Sequence, residues 1–377
     1  MIFRIEVILK KCLKVPICIW NLFVFSIKYH NCRLPTIQQS MKKFFAIMGD
    51  VAVVVGCCIG VGFLSGKEAQ VFFGNIFNVA IFAAFFFAVS FALREYCRKN
   101  GCSTVDELSG SLFGKFAKIF NVGIALCSFV CIVTVLAGVE ECLSRLFYLS
   151  NLPLYAFAAA LFAALLLQRD MKMLKYANMV SIIMAVILVI ILLTANTTEN
   201  SQNLQVPLFQ PVIYALFSVT MSLGVITRLA CESDRRQNVT ACVLASVITA
   251  ILMAAILPLC KINADLPTLD GISSPALIAY ALITLLLAAV TGVVANAYPV
   301  VQELKSIVPD NALCNALIFG LALAFSMFGF DFAVKFGYLL VSLFGAVIVV
   351  LAICKLCFKR KKPVQQDGLQ LDRQIEK

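Results

Sequence analysis

The sequence predicts an all-α polytopic membrane protein in which ten transmembrane helices form a 5+5 inverted repeat, with interrupted helices 1 and 6. Three observations predict this fold: the composition, a one-sided distribution of basic residues, and two apolar segments that carry helix-breaking residues at matching positions. Of the 377 residues, 62% are hydrophobic and 14% are charged. The surface of a soluble domain would not tolerate that composition, which is typical of a protein that crosses the membrane several times.

Ten apolar segments follow Met41, each near the ~20 residues needed to cross a hydrocarbon layer of ~30 Å. They are residues 44–74, 77–96, 116–147, 152–168, 174–195, 208–230, 238–260, 275–301, 311–329 and 334–357. A long polar loop divides them into two halves of five. Because an odd number of helices reverses the direction of the chain, the two halves must be inverted relative to each other, as in many secondary transporters.

The predicted domain organisation follows from these segments. Residues 1–40 form an N-terminal extension, 41–196 the first repeat, 197–207 an outer linker loop, 208–358 the second repeat and 359–377 a polar cytoplasmic tail. The apolar piece of the extension, residues 15–27, is about half the length of a spanning helix. We expect residues 1–40 to come from an upstream start codon, with Met41 as the working start; a signal peptide and an interfacial helix are the alternatives.

Basic residues lie almost entirely on one side of this topology. With the N-terminus inside, nineteen fall in cytoplasmic loops and four outside. The nineteen are Lys42, Lys43, Arg94, Arg98, Lys99, Lys115, Lys118, Arg169, Lys172, Lys175, Arg228, Arg235, Arg236, Lys305, Lys355, Lys359, Arg360, Lys361 and Lys362; the four are Lys67, Arg145, Lys261 and Lys335. This bias predicts a multi-pass plasma-membrane protein with both termini in the cytoplasm. It also explains the net charge of +11 without a nucleic-acid partner.

The cysteines and the single histidine exclude other classes of protein. Most of the 16 cysteines lie within apolar runs, where we interpret them as small core or lipid-facing residues and not as a disulfide framework or a metal site. The one histidine, His30, precedes the membrane body. We therefore expect neither an enzyme nor a metal or other cofactor; the expected partners are a small-molecule substrate and the lipid bilayer, and the oligomeric state stays open.

The first apolar segment carries the most unusual stretch, GCCIGVGFLSGKE at Gly56 to Glu68. Glycine lets the backbone leave helical geometry, and freed backbone groups at membrane depth need protein, water or ligand partners. We predict that the chain unwinds from Gly60 to Gly66 and binds substrate there, through Gly60, Gly62, Phe63, Ser65 and Gly66. The alternative is that Gly56 and Gly60 form a GxxxG packing face. We expect Lys67 and Glu68 to pair with each other near the outer vestibule.

The first segment of the second half, PVIYALFSVTMSLGVITRLA at Pro211 to Ala230, carries the matching irregularity. Hydroxyl groups and a glycine cluster near its centre. Two broken helices in corresponding positions of the two halves are the best sequence indication of a transporter site. We predict that Ser218, Ser222 and Gly224 also bind substrate.

Helix three contributes adjacent carboxylates, Glu140 and Glu141. Ionisable residues at membrane depth are expensive and often functional, so Glu140 is a candidate proton relay. The alternative interpretation is that both carboxylates lie at the outer interface, with one of them near Arg145.

The run IGVGFLSGKEAQVFF, Ile59 to Phe73, resembles the first-helix signature of the YkvI-like bacterial membrane proteins, an IGxGFxSGxE pattern followed by an aromatic pair. That family is similar to the amino acid, polyamine and organocation transporter superfamily, which has the inverted-repeat fold of the leucine transporter. The resemblance covers about residues 44–357 and is most specific in the first helix. It implies a secondary transporter with its solute between helices one, three, six and eight, and implies no particular substrate.

The same resemblance suggests where a coupling ion would bind. In sodium-coupled relatives the ion lies between the first-helix break, here Gly60, and hydroxyls of helix eight, here Thr284 and Thr291. The adjacent hydroxyl pair of those relatives is missing, because Gly292 follows Thr291. Some proton-coupled relatives use a lysine of helix five instead, but here helix five has lysines only at its cytoplasmic start. Gly60, Thr284, Thr291 and Glu140 are thus the candidate ion-binding or coupling residues, and Na⁺ and H⁺ both stay open.

Two functions from different classes fit these features. The first is a secondary transporter of a small organic solute, an amino acid or a related compound, that works by alternating access. The second is a solute-sensing receptor that has kept the transporter fold but moves nothing. Flux under an imposed gradient separates them. A membrane enzyme has the least support, because the membrane body shows no grouping of residues at catalytic spacing.

Overall fold

The computed structural model describes residues 35–147, 153–167, 171–195, 205–260, 268–269, 274–305, 307–308 and 310–358, and these are helical apart from short connections. In the first half the helices are α1 (Pro35–Cys58), α2 (Val61–Leu64), α3 (Lys67–Phe72), α4 (Ile76–Asn100), α5 (Val105–Phe113), α6 (Ala117–Phe147), α7 (Leu154–Leu167) and α8 (Met171–Ala195). In the second half they are α9 (Gln210–Met221), α10 (Leu223–Glu232), α11 (Arg235–Ile256), α12 (Pro275–Lys305), α13 (Asn311–Ser326), α14 (Phe330–Phe332) and α15 (Tyr338–Phe358). A π-helical turn, Ala333–Gly337, joins the last two.

The described helices agree with the predicted apolar segments. Six stretches are long and apolar enough to cross a membrane, and α9 with α10 makes a seventh that is bent by 66°. Three shorter apolar helices, Ile47–Cys58, Leu154–Leu167 and Asn311–Ser326, fall at the other predicted spans. The all-helical fold with interrupted first and sixth segments is therefore confirmed. The exact count of ten spans stays a prediction.

The first helix begins earlier than predicted. Its described part, Pro35–Cys58, already includes residues ahead of both the predicted span at 44 and the proposed start at Met41. Residues 1–34, most of the linker 197–207 and the tail 359–377 lie outside the described residues, so the domain boundaries stay predictions.

Helix α5 was not predicted. Thr104 begins it with a capping box, in which the Thr104 hydroxyl accepts from the Glu107 amide and the Glu107 carboxylate accepts from the Thr104 amide. The sequence T-x-x-E is a recognisable signal for this start. Helix α5 lies on the predicted cytoplasmic side, where the Lys355 ammonium of α15 donates to the Ser111 carbonyl at 2.6 Å.

The interrupted first segment lies in the middle of the bundle. Its first part, α1, packs against α8 and α11, its short middle turn packs against α6, and α3 packs against α9. The long helices α6 and α12 pack on each other, and both contact the first segment. The second interrupted segment packs in the same way, with α9 against α4 and α15. Continuous helices thus hold the irregular backbone of both segments in place.

Gly56 illustrates how closely α1 and α8 approach. A Cβ atom at this position would lie 2.8 Å from the Asn178 Cγ atom, closer than real contacts allow. Gly56 thus serves packing, as the GxxxG interpretation predicts for it.

Gly56→Ala is expected to destabilise the protein by about 1–3 kcal/mol through overpacking against Asn178. Thermal unfolding of the purified protein should show a melting temperature several degrees lower. The matched control is Gly320→Ala, since a Cβ there meets nothing within 4 Å. Equal melting temperatures for the two variants would contradict the packing interpretation.

Candidate functional site

The first segment is interrupted twice. Helix α1 ends at Cys58, the chain is non-helical at Ile59 and Gly60, and α2 adds a single turn before a second break at Ser65 and Gly66. The prediction of an unwound stretch from Gly60 to Gly66 is wrong in this respect, because Val61 to Leu64 keep helical geometry. Gly66 has φ of +82°, a left-handed conformation that favours glycine, so the second break depends on this residue.

The backbone at the second break is satisfied locally. The Ser65 hydroxyl donates to the Gly62 carbonyl at 3.0 Å. Thr268, from the loop between the seventh and eighth predicted spans, donates its hydroxyl to the Leu64 carbonyl at 2.5 Å and its amide to the Ser65 carbonyl at 3.1 Å. Thr268 is buried and covers the predicted outer side of this break. This role of Thr268 was not predicted, because a threonine in a polar loop forms no recognisable sequence pattern.

The second half has its break at Ser222, within the predicted Ser218 to Gly224. Helix α9 ends at Met221, α10 begins at Leu223, and their axes differ by 66°. The Ser222 hydroxyl lies 2.8 Å from the Ser218 carbonyl and 3.1 Å from the Val219 carbonyl, so it serves the carbonyls at the end of α9. Ser222 thus supplies a hydrogen-bond donor to the carbonyls that the break would otherwise leave at membrane depth.

Glu68 lies at the centre of the site. Its side chain is buried, and its carboxyl oxygens each lie 2.5 Å from a tyrosine hydroxyl: Oε2 from Tyr214 of α9 and Oε1 from Tyr338 of α15. The Tyr214 hydroxyl also lies 3.0 Å from the Cys58 carbonyl, at the end of α1. Glu68 therefore links the two interrupted segments to α15.

The predicted pairing of Lys67 with Glu68 is wrong. The Lys67 ammonium lies 2.6 Å from Glu141 Oε1 of α6 and 3.0 Å from Asp331 Oδ1 of α14. Glu141 also pairs with Arg145 at 3.0 Å, which agrees with the outer-interface interpretation of this pair of carboxylates. These contacts tie the first and third predicted spans to the connection between the ninth and tenth at the outer side. We call Lys67, Glu141 and Asp331 the outer cluster.

A small cavity lies between Glu68 and the first break. Its volume is about 10 Å³, room for about one water. The lining residues are Cys57, Cys58, Gly60, Val61, Gly62, Glu68, Thr134, Val135, Phe217, Met221, Phe330 and Tyr338. The Phe330 ring lines this cavity and also contacts the outer cluster, because its centroid lies 5.4 Å from the Lys67 ammonium.

Lys67→Met is expected to loosen the outer cluster, since Glu141 and Asp331 would face each other without their shared cation. Exposure of the cavity from the outer side should rise several-fold. The measurement is the rate at which a membrane-impermeant maleimide, applied from that side, labels Cys57 and Cys58, followed by mass spectrometry of the peptide. Arg235→Gln, which changes an exposed charge elsewhere, is the control. A labelling rate unchanged by Lys67→Met would contradict the role of the cluster.

The opposite end of the bundle has its own ion pair. Asp50 of α1 is buried, and its carboxylate lies 2.9 Å from the Lys175 ammonium of α8 and 3.2 Å from the Ser233 hydroxyl after α10. Sequence reasoning missed Asp50. We call Asp50, Lys175 and Ser233 the inner cluster. Since both clusters are formed, the cavity is held between two sets of polar contacts.

Two predicted substrate residues, Gly60 and Gly62, line the cavity. The other predicted substrate residues lie outside its lining. Phe63 and Ser65 are buried, and Gly66 forms the second break. The Ser218 and Ser222 hydroxyls donate to carbonyls of their own segment, and a Cβ at Gly224 would meet the Pro299 ring of α12 at 3.1 Å. Their role in binding stays a prediction.

The predicted coupling residues other than Gly60 also lie outside this lining. Thr284 donates to the Tyr280 carbonyl at 2.8 Å, and Thr291 lies 3.0 Å from the Leu287 carbonyl, so each bonds within α12. Glu140 accepts from the amides of Tyr155 and Ala156 at 2.9 Å each, which caps the start of α7. Glu140 thus has a structural partner, and its proposed relay role stays a prediction.

A comparison with solved structures finds the same architecture in transport proteins. Mhp1, a nucleobase-cation-symport-1 family transporter solved in a closed conformation with bromovinylhydantoin bound, matches with a TM-score of 0.59 and 16% identity over 85% of this chain and 80% of its own. MhsT, solved in complex with L-phenylalanine, matches with a TM-score of 0.53 and 16% identity over 80% of this chain and 87% of its own. No protein-family model and no curated protein sequence matches.

These likenesses establish the fold. The protein is a multi-pass membrane protein with the leucine-transporter fold. At 16% identity they do not carry over a substrate or an ion.

Proposed function

We propose that the protein is a secondary transporter of a small organic solute, an amino acid or a related compound, and that it works by alternating access. The observation that carries this proposal is the pair of interrupted segments that meet at one buried polar centre, Glu68 with Tyr214 and Tyr338. Irregular backbone at membrane depth is tolerated where it lines a cavity, and matching breaks in the two halves mark the site in transporters of this plan. The resemblance of Ile59 to Phe73 to the YkvI-like pattern supports the same proposal.

The two charged clusters supply gates for such a cycle. In the proposed mechanism the outer cluster separates when the site faces outward, and the inner cluster separates when it faces inward. A cavity of about 10 Å³ is too small for an amino acid, so the site must enlarge to take up solute. Movement of α3 with Phe330 on one side, or of α1 on the other, would enlarge it.

The remaining assignments follow from this function. The protein would reside in the plasma membrane with both termini in the cytoplasm, contact lipid along its exposed apolar faces, and need no enzyme chemistry or resident cofactor. Coupling to Na⁺ or H⁺ would make the transport concentrative.

A thermal-shift screen of the purified protein tests the site. The probes are the twenty amino acids and a set of small amines, each at acidic and neutral pH, with and without Na⁺. We expect at least one probe to raise the melting temperature of the wild-type protein, since a ligand that binds only the folded state stabilises it. Shifts that persist unchanged in Gly62→Ala, which narrows the cavity, would place the binding elsewhere and contradict the proposal.

A further inference from the structure

Glu68 is a buried carboxyl group without a cationic partner. Its side chain is 3% exposed, and among the described residues no lysine or arginine lies within 4.0 Å of it. The neighbouring Lys67 pairs instead with Glu141 and Asp331. A carboxylate that is removed from water and left unpaired is costly, and such a group takes up a proton unless something else compensates its charge.

The groups facing Glu68 from the surrounding helices are neutral. They are Cys57 and Cys58 of α1, Tyr214 of α9 and Tyr338 of α15, with Cys131 of α6 close to Tyr338. The only described hydrogen-bond donors to the Glu68 carboxyl are the two tyrosine hydroxyls. Each hydroxyl carries a single hydrogen.

One added proton changes which groups donate hydrogen bonds around Glu68. The Tyr214 hydroxyl has two neighbours that can accept from it, Glu68 Oε2 at 2.5 Å and the Cys58 carbonyl at 3.0 Å. If Glu68 is ionised, Tyr214 must donate to it, and the Cys58 carbonyl loses this donor. If Glu68 carries a proton on Oε2, it donates to Tyr214, and Tyr214 donates to the Cys58 carbonyl. Tyr338 donates to Oε1 in both cases.

We propose that Glu68 is a proton-binding site, and that its proton completes a hydrogen-bond chain from Glu68 through Tyr214 to the end of α1. The protonated site is neutral and holds α1 against α9, whereas loss of the proton releases the Cys58 carbonyl. Because α1 also carries Asp50 of the inner cluster, the proton on Glu68 biases whether α1 stays in place. This part rests on the proposed transport function, in which the proton is the coupling ion.

Infrared difference spectroscopy of the full-length protein in lipid bilayers tests the proton site without any solute. With the pH of the buffer as the only variable, we expect a carboxylic-acid C=O band that disappears as the pH rises and that is absent in Glu68→Gln. Glu141→Gln, which changes a carboxyl group of the outer cluster, should keep the band. Tyr338→Phe should shift it to higher wavenumber, because the Glu68 carbonyl oxygen loses a hydrogen bond.

Two results would overturn the proposal. One is a set of spectra in which wild type and Glu68→Gln coincide at every pH and Tyr338→Phe causes no shift. The other is a Glu68 band that Na⁺ removes at constant pH, which would make the site a cation site. Since no solute is present, failure of this test leaves the proposed transport function standing, and failure of transport leaves the proton site standing.

Discussion

Gly62→Ala is expected to weaken solute binding roughly 5- to 150-fold and to lower transport accordingly. A Cβ at Gly62 would lie 2.8 Å from both the Glu68 Cδ atom and the Phe330 Cζ atom. Both groups are buried and packed, so the added methyl must displace them, and overpacking of this kind costs about 1–3 kcal/mol. Every 1.4 kcal/mol is about tenfold in an equilibrium constant, which gives the expected range.

Gly292→Ala is the matched control for this variant. Gly292 is another buried glycine of the same bundle, but a Cβ there meets only Val135, at an ordinary distance of 3.8 Å. The measurements are the thermal shift with the best solute of the screen and its uptake into proteoliposomes. If Gly62→Ala bound and transported as well as Gly292→Ala, the cavity beside Glu68 would not be the solute site.

Asp50→Asn is expected to open the predicted cytoplasmic end. Removing this carboxylate leaves the Lys175 ammonium without its partner and weakens the contact of α1 with α8. Breaking a buried ion pair costs about 3–5 kcal/mol. Lys175 is 26% exposed and solvent screens its charge, so we expect the closed inner end to lose roughly 1–2 kcal/mol of stability. That loss changes the equilibrium between the closed and open ends about tenfold. Labelling of Cys57 and Cys58 by an impermeant maleimide should rise about tenfold from the cytoplasmic side and stay unchanged from the outer side.

The control for Asp50→Asn lies at the same end of the bundle. Glu232→Gln removes one partner of the ion pair between Arg228 and Glu232, whose atoms lie 3.3 Å apart. Both side chains are exposed, so this pair contributes little to stability. This variant should label at the wild-type rate. Equal labelling of the two variants, or a rise from the outer side in Asp50→Asn, would contradict the assignment of the inner cluster as a gate.

The fold was largely predictable from the sequence, because helix length and apolar content are local properties. The breaks were predictable for a similar reason. Glycine at Gly60 and Gly66 and serine at Ser222 act on their own backbone, so a sequence pattern reveals them. The helical turn at Val61 to Leu64 was not predicted. This turn packs against α6, and no local sequence pattern indicates such a contact.

The polar centre was not predictable in the same way. Lys67 and Glu68 are adjacent, and opposite charges next to each other suggest a pair. Neighbouring helical residues point about 100° apart, however, so each meets a different part of the bundle. The partners Tyr214 and Tyr338 lie 146 and 270 residues away from Glu68 in the chain. Only the assembled fold brings these groups together.

The contacts of the inner cluster were not predictable either, because its residues lie far apart in the chain. Asp50 is a single carboxylate in an apolar run, and its partner Lys175 lies 125 residues further along. From the sequence, Lys175 was predicted to lie at the cytoplasmic start of its helix, and no partner was predicted for it. A charge inside an apolar segment is nevertheless a signal, since membrane burial of an unpaired carboxylate is expensive.

Counterflow in proteoliposomes tests the central claim most directly. Vesicles loaded with a high concentration of the best-binding amino acid or amine from the screen are diluted into a trace of the same compound in radiolabelled form. We predict transient accumulation of the label in wild-type vesicles, none in protein-free vesicles, and a strong reduction with Gly62→Ala. Saturable binding of the compound without any exchange of label would show a solute-sensing receptor and would contradict transport by alternating access.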